Sequence, residues 1–328
     1  MNKINKYKFL ITGGAGFVAG HIAEKALVLG SEVAIIDILN SETTPVDEKI
    51  KNTKILQKIA IKNNASFKIH KSDIRDGKSM EDIFLEEKPD IVIHAAALAR
   101  DRDSMDIPLD FIETNVIGSQ NIINAAMKVN TIKQFLVIST RSAVGQTLSA
   151  TSLMTEDQPM RPINPYGATK LAMEGLFHSY HADTNVPIKI VRMQPVYGPR
   201  ARHDMFVWRI FNSIITGDQI QKYGTGDGVR DWLYISDAVD AVFSLLHTEI
   251  KFDAFNIGVS EMTSTNKLIS LCEEIAGKKA NIVNIPAVRG DAVFAGIADC
   301  TKIHKSCGWK AKVKISEGLK KTYDYMIK

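Results

Sequence analysis

Apolar residues fall into two rhythms along this chain. Short apolar blocks, YKFLIT (7–12), EVAIID (32–37), DIVIHAAA (90–97), FLVIST (135–140) and PIKIVRMQPV (187–196), read as strands. SFKIHKSDIRD (66–76) holds another short one. Between them, apolar spacing fits helices at 20–29, 79–87, 109–129 and 166–182. Strands that are apolar on both faces suit a parallel sheet covered by helices on both sides. The Lys-rich stretch 41–65 reads as a surface helix with no functional content. After Gly198 the texture changes: Pro, Gly and Arg cluster at 198–204, and a helix over 205–216 leads to the turn YGTGDG (223–228). Helices at 237–246 and 265–276 then flank a strand, AFNIG (254–258). The pattern predicts an α/β protein with a doubly wound parallel sheet over 1–195, to which 229–258 returns. A smaller mixed α/β C-terminal domain takes 196–228 and 259–328.

Composition narrows the class. Over 328 residues, 45% are hydrophobic and 24% charged, which fits a globular chain and excludes collagen-like and low-complexity classes. The net charge of +4 comes from 41 basic and 37 acidic residues with both signs interspersed, so no nucleic-acid footprint is expected. No apolar run is long enough to span a bilayer. The first apolar stretch runs into glycines within a few residues, so it is not read as a signal peptide. The cysteines, Cys272, Cys300 and Cys307, are odd in number and lack a CxxC spacing. They read as reduced thiols of a cytoplasmic protein, with no metal site expected.

The first strand ends in TGGAGFVAG (12–20), a GxxGxxA spacing. Gly13 permits the tight turn, Gly16 lets backbone approach a pyrophosphate, and Ala19 lets the helix pack on the strand. The pyrophosphate then sits on the helix N-terminus, where unpaired N–H groups and the dipole favour negative charge. This is the Rossmann arrangement for a dinucleotide. Asp37 ends the second strand, where it can accept from both ribose hydroxyls and repel a 2′-phosphate, favouring NAD. Asp73 and Ile74 end the third, where they hold the adenine edge, or Asp73 caps the next helix.

Tyr166-Gly-Ala-Thr-Lys170 is a YxxxK. On a helix, positions i and i+4 share a face, so phenol and ammonium point the same way. A phenol ordinarily titrates near ~10. Lys170 and an oxidised nicotinamide would both favour phenolate and make Tyr166 a general base near neutrality. Thr140, at the end of the fifth strand, can share the same substrate oxygen.

These residues, with HAAA (94–97), NVIG (115–118), STRSAVG (139–145), VRMQPVYGP (191–199), GDGVRDWLYISDAVDA (226–241), RGD (289–291) and CGW (307–309), resemble the extended short-chain dehydrogenase/reductase family. The match is to its nucleotide-sugar epimerase/dehydratase branch, nearly end to end. The resemblance implies that Phe17 and Val18 lie under the pyrophosphate, and that Ala95, Ala97 and Arg100 line the ribose and phosphate side. It implies that Asn115 anchors the loop near the nicotinamide, that Thr140, Tyr166 and Lys170 form the catalytic set, and that Gln194 to Val196 back the nicotinamide. Arg230 would hold the substrate diphosphate, and Arg289 and Asp291 would close the nucleotide end. A homodimer through a four-helix bundle of the helices near 109–128 and 166–182 is implied as well.

Members of this branch share oxidation at C4 and diverge afterwards. The 4,6-dehydratases place Asp-Glu after the catalytic Thr; here Arg141 and Ser142 stand there. The resemblance therefore implies a UDP-sugar 4-epimerase that oxidises C4, turns the 4-keto sugar and reduces its other face. YGPRARHDMFVWRIF (197–211) is similar to a segment of uronate-nucleotide 4-epimerases that reads GP, Arg, then Pro-Asp-Met, with His203 in the Pro place. Arg141 beside the sugar either pairs with a C6 carboxylate or turns to a protein acid. Pro195 replaces the Thr or Asn of relatives near the sugar and removes one hydroxyl contact. Arg102 either faces the sugar or joins a solvated cluster with Asp101 and Asp103. UDP-glucuronate/galacturonate is the expected pair, with UDP-glucose or UDP-N-acetylglucosamine as the rival. A net NAD(P)-dependent reductase and a non-catalytic NAD sensor are the alternatives of another class.

Overall fold

The structure is a computed structural model that describes residues 7–40, 44–145, 153–286 and 296–328. Its centre is a seven-stranded, all-parallel sheet. Five strands follow in chain order: β1 (Lys8–Thr12), β2 (Glu32–Asp37), β3 (Phe67–Lys71), β4 (Ile91–His94) and β5 (Gln134–Thr140). Strands Ile188–Met193 and Phe252–Ile257 complete it. In space the order runs 252–257, 188–193, β5, β4, β1, β2, β3. The chain reverses direction across the sheet between β1 and β4, which opens a crevice beyond their carboxyl ends. Strand 188–193 is buried at every position, as a strand covered on both faces must be. Edge strand β3 is largely exposed and carries Lys68 and Lys71, which discourage pairing with another chain.

Two apolar clusters cover the sheet. Leu10, Phe84, Phe135 and Phe177 lie on one face, and Ile11, Ile22, Phe211 and Phe255 on the other. The first crossover helix, α1, spans Phe17–Val28, and α2 spans Val46–Lys62. The helix expected over 109–129 is interrupted. Residues Pro108–Ile112 are α-helical, Glu113–Ile117 form a π-turn, and Gly118–Ala126 resume the α-helix. The wide turn rotates Asn115 inward to bond Leu98 and Thr169, a tertiary demand that periodicity does not register. Gly118 lies against Ile74, whose side chain a Cβ there would meet at 2.6 Å.

The part of the chain beyond the sheet forms small two-stranded pieces. Strand Ile220–Tyr223 pairs with Ile282–Ile285, and Val229–Arg230 with Thr263–Ser264. No helix among the described residues is long and apolar enough to cross a membrane. A cavity of about 320 Å³ opens at the amino ends of the strands, away from the glycine loop. There Lys189 donates to Gln134 and to the Thr248 carbonyl just past the helix Ile235–Leu246. That is charge compensation for a helix C-terminus.

Candidate active site

The register of the sheet builds the crevice. Thr12 pairs with both Ile36 and His94, so the glycine loop and the loop after β4 leave side by side. Gly13 adopts φ +70, and a Cβ there would press on the Ala96 backbone at 3.0 Å. Helix α1 has Gly16 as N-cap, no side-chain cap and no acid in its first turn. Its leading N–H groups are thereby left for an anion. Buried Gln194 Oε1 has no hydrogen-bond partner among the described residues, and Gln194 follows strand 188–193 at its carboxyl end. These features fit a dinucleotide lying across the loop.

Asp37 stands where the sequence places it, with more company than expected. Its carboxylate accepts from Ala15 N at 3.2 Å, Leu39 N at 2.9 Å and Lys49 Nζ at 3.1 Å. Asn52 donates to the Ala15 carbonyl at 3.0 Å. Helix α2, set aside in the sequence as functionally silent, thus braces the glycine loop. Its signal was Lys49 and Asn52 at i and i+3. Asp73 is gripped by Arg75 through Nε and Nη2. The cap of the following helix is Asp76, which accepts from Ser79 N, so the cap role passes to it. Ile74 is buried. Phe17 is buried and Val18 half-buried on the first turn of α1. Ala95 and Ala97 line the loop half-buried. Arg100 sits in the same loop but pairs with Asp103 at 2.9 Å and Asp204 at 3.3 Å, so its contacts are with acids of the protein.

A directional hydrogen-bond chain ties this loop to the helices. Thr12 Oγ1 accepts from Ala95 N and Ala96 N, which occupies both lone pairs. Its proton therefore goes to His94 Nδ1, 2.9 Å away. His94 is then the Nε2–H tautomer and donates to Ser119 Oγ at 2.9 Å. Ser119 in turn donates to the Asn115 carbonyl at 2.5 Å. Asn115 Nδ2 donates to Thr169 Oγ1, which donates to the Tyr166 carbonyl. Burial, with Lys170 nearby, pushes His94 down to about 3, so the ring is neutral.

The helix Pro165–Thr184 begins with Asn164 as N-cap, whose side chain accepts from Gly167 N at 2.8 Å. Gly167 has no room for a Cβ, which would meet the Ser142 carbonyl at 2.2 Å. This packing sets Thr140, Arg141 and Ser142 beside Tyr166. Ser142 is buried, and its N–H donates to Thr140 Oγ1 at 3.2 Å.

The phenol's electrostatics differ from expectation. Burial, and then the Asp101 carboxylate, push Tyr166 up to about 12, while a hydrogen bond with Thr140 and the charges of Arg202 and Arg141 pull it down. Lys170 is not among these causes. Its ammonium donates to Met173 Sδ at 3.2 Å, and burial pushes it down to about 8 against the raising effect of Glu174. The expected joint action of Lys170 and an oxidised nicotinamide on the phenol belongs to the cofactor-bound protein. In the protein alone, burial dominates, and the relieving cations are arginines from other segments.

Arg202 is the main residue the sequence reading did not single out. Its fork holds Asp204 through Nε at 2.9 Å and Nη2 at 3.1 Å, and Nη2 also donates to the Ala99 carbonyl. Arg102 stacks its guanidinium over the Tyr223 ring at 3.6 Å, and so reaches the C-terminal region. His203 stacks on Trp208 with ring centroids 4.1 Å apart. Val196 pairs with Leu233, and the Pro195 carbonyl accepts from Leu233 N, which fixes that turn. Arg230 is half-buried on its short strand, where Nη1 donates to the Val229 carbonyl. Arg289 and Asp291 lie outside the described residues.

A glycine loop at the switch point of a parallel sheet, an acid ending β2 and a Tyr-Lys pair on one helix, its lysine buried, define a dinucleotide-dependent oxidoreduction site on a Rossmann fold. Comparison gives the family. Residues 9–258 match the NAD dependent epimerase/dehydratase family, and the chain belongs to it. It is 30% identical over 319 residues to the UDP-glucuronate 4-epimerase of Thermodesulfobacterium geofontis, covering 97% of this chain and 95% of the relative. UDP-glucuronic acid 4-epimerase from Bacillus cereus, solved with UDP-glucuronic acid and NAD, superposes with a TM-score of 0.87 at 30% identity, over 98% of this chain and 99% of that one. UDP-glucose 4-epimerase of Thermotoga maritima, solved with UDP-glucose, gives 0.86 at 30% identity, over 98% of each chain. The cofactor of this family is NAD.

Proposed function

We propose that this protein interconverts C4 epimers of a UDP-sugar, UDP-glucuronate and UDP-galacturonate being the pair, and retains NAD throughout the cycle. Thr140 and Tyr166 take the C4 hydroxyl between them, and the phenol removes its proton. Lys170, on the same helix face, holds the nicotinamide ribose and, together with the oxidised nicotinamide, favours the phenolate. Gly13, Gly16, Phe17, Val18, Asp37, Asp73, Ile74, Ala95, Ala97, Arg100, Asn115 and Val196 frame the dinucleotide. NAD held there would supply the acceptor for the C4 hydride and the donor that returns it. Pro195, Ser142 and Arg230 border the sugar and its diphosphate, and residues 196–228 and 259–328 form the substrate-binding side.

The observation that carries this reading is the pair that follows Thr140. Arg141 and Ser142 lie at the start of a helix beside the phenol, where elimination of water would need a carboxylic acid and base. Arg141 supplies neither. A guanidinium suits a C6 carboxylate, because charge-assisted forks are geometrically selective. The neutral-hexose reading draws on Pro195, which offers no hydroxyl to the sugar.

A second copy of the chain is the expected partner. Ala168, Ala172, Gly175, Ser179 and Ala182 form an exposed stripe of small residues on the helix 165–184, and Leu109, Ile112 and Ile117 are exposed nearby in the chain segment 108–117. Purified protein should epimerise UDP-glucuronate with no net change in nicotinamide absorbance. Tyr166→Phe should abolish turnover while NAD stays bound. Steady NADH production, or a substantial residual rate in Tyr166→Phe, refutes the proposal.

A further inference from the structure

Asp101 lies in the loop after β4, beside the phenol, and the roles assigned above do not use it. Its Oδ1 accepts from Asn164 Nδ2 at 3.3 Å, a long bond from the residue that caps the Tyr166 helix. It forms no ion pair among the described residues. The nearby Arg202 is committed to Asp204 and to the Ala99 carbonyl. Loop and carboxylate are held in place: Ser104 Oγ donates to the Asp101 carbonyl at 2.6 Å, and Arg102 is stacked on Tyr223. An ionised carboxylate has about four acceptor positions, so this one retains capacity for donors from a ligand.

We propose that Asp101 is a specificity-determining residue that accepts a hydrogen bond from the sugar's C3 hydroxyl. The assignment deepens the epimerase reading and rests on it. In a hexopyranose, C4 is flanked by C3, which bears a hydroxyl, and by C5, which carries C6. With the C4 oxygen at Tyr166 and C6 directed to Arg141, the acid on the remaining side meets C3. The polarity also matches, since a hydroxyl donates to a carboxylate while a C6 carboxylate is repelled by it. The same acid steers a uronate into one orientation, with its anionic end towards the arginine.

Asp101 also bears on proton removal. The groups acting on the phenol are Asp101 from the loop after β4, Thr140 and Arg141 from the end of β5, and Arg202 from the segment after strand 188–193, with Lys170 one turn further along its own helix. Removing the one negative member eases ionisation of Tyr166.

The test compares wild-type, Asp101→Asn and Asp101→Leu on UDP-glucuronate, UDP-glucose and their 3-deoxy counterparts. Asp101→Asn keeps an acceptor for Asn164 and guards against collapse of the loop. A lost charge-assisted bond predicts that Asp101→Leu lowers kcat/KM by roughly ten- to a hundredfold on the 3-hydroxy sugars and by less than about threefold on the 3-deoxy sugars. In Asp101→Asn the acid limb of the kcat/KM profile should move to lower pH, which a purely structural role would not produce. Equal losses on 3-hydroxy and 3-deoxy sugars, or an unmoved limb, overturn the assignment while wild-type turnover leaves the epimerase reading standing. If the wild-type protein turns over none of these sugars, the epimerase reading fails first and this one with it.

Discussion

The chain from Thr12 through His94 to Asn115 makes a quantitative claim about acid stability. His94 is fully buried, and each ring nitrogen is engaged with a fixed polarity. Nδ1 receives the Thr12 proton, so protonating it would set two donors against each other. Burial and the nearby Lys170 lower its pKa from 6.5 to about 3. The unfolded chain takes up a proton as pH falls through 6.5, and the folded protein does not until about 3. The stability His94 contributes is thus complete above pH 6.5 and is lost progressively on acidification. At about 1.4 kcal/mol per pH unit, the loss from His94 alone between neutrality and pH 5 is about 2 kcal/mol. His94→Gln can accept from Thr12 and donate to Ser119 but cannot titrate. Urea unfolding of both proteins at pH 7 and pH 5 isolates the effect from every other group. The variant should be the less stable protein at pH 7, and the gap should narrow by about 2 kcal/mol at pH 5. A gap that stays constant would refute both the neutral ring and the polarity deduced for the chain.

Other consequences are as direct. Glu174 and Arg192 are a buried pair with Nη2 and Oε2 at 2.8 Å, and Ser139 donates to the same carboxylate. Glu174→Gln should cost about 3–5 kcal/mol by stranding the guanidinium, and calorimetry should show Glu174→Gln with Arg192→Met recovering most of it. Arg141→Ser should lower kcat/KM on UDP-glucuronate far more than on UDP-glucose; equal losses would remove the carboxylate contact. Ala172→Glu places a charge in the small-residue stripe and should yield a monomer by light scattering with NAD affinity retained, whereas an unchanged mass would move the interface elsewhere.

How much of this was legible before folding depends on how local each feature is. The glycine loop, Asp37 and the Tyr-Lys pair are short-range patterns whose geometry follows from one strand, one turn or one helix. The inner parallel strands were legible because a strand covered on both faces is apolar throughout, whereas the exposed edge strand β3 shows only as a short apolar alternation within 66–76. What escaped was long-range. The π-turn at 113–117 exists because Asn115 must reach Leu98 and Thr169, and nothing within the helix announces that. Lys49 looked like one lysine among many until α2 laid it against Asp37. The phenol's environment is the clearest case. Tyr166 and Lys170 are four residues apart, so the sequence suggests that they titrate together. Yet in the protein alone the largest charge effects on Tyr166 come from Asp101, Arg141 and Arg202, on three separate segments gathered at the carboxyl ends of the strands. A doubly wound sheet collects those loops at one edge whatever their order in the chain. Within such a frame, substrate preference can be altered by single loop residues while the glycine loop and the Tyr-Lys helix stay as they are.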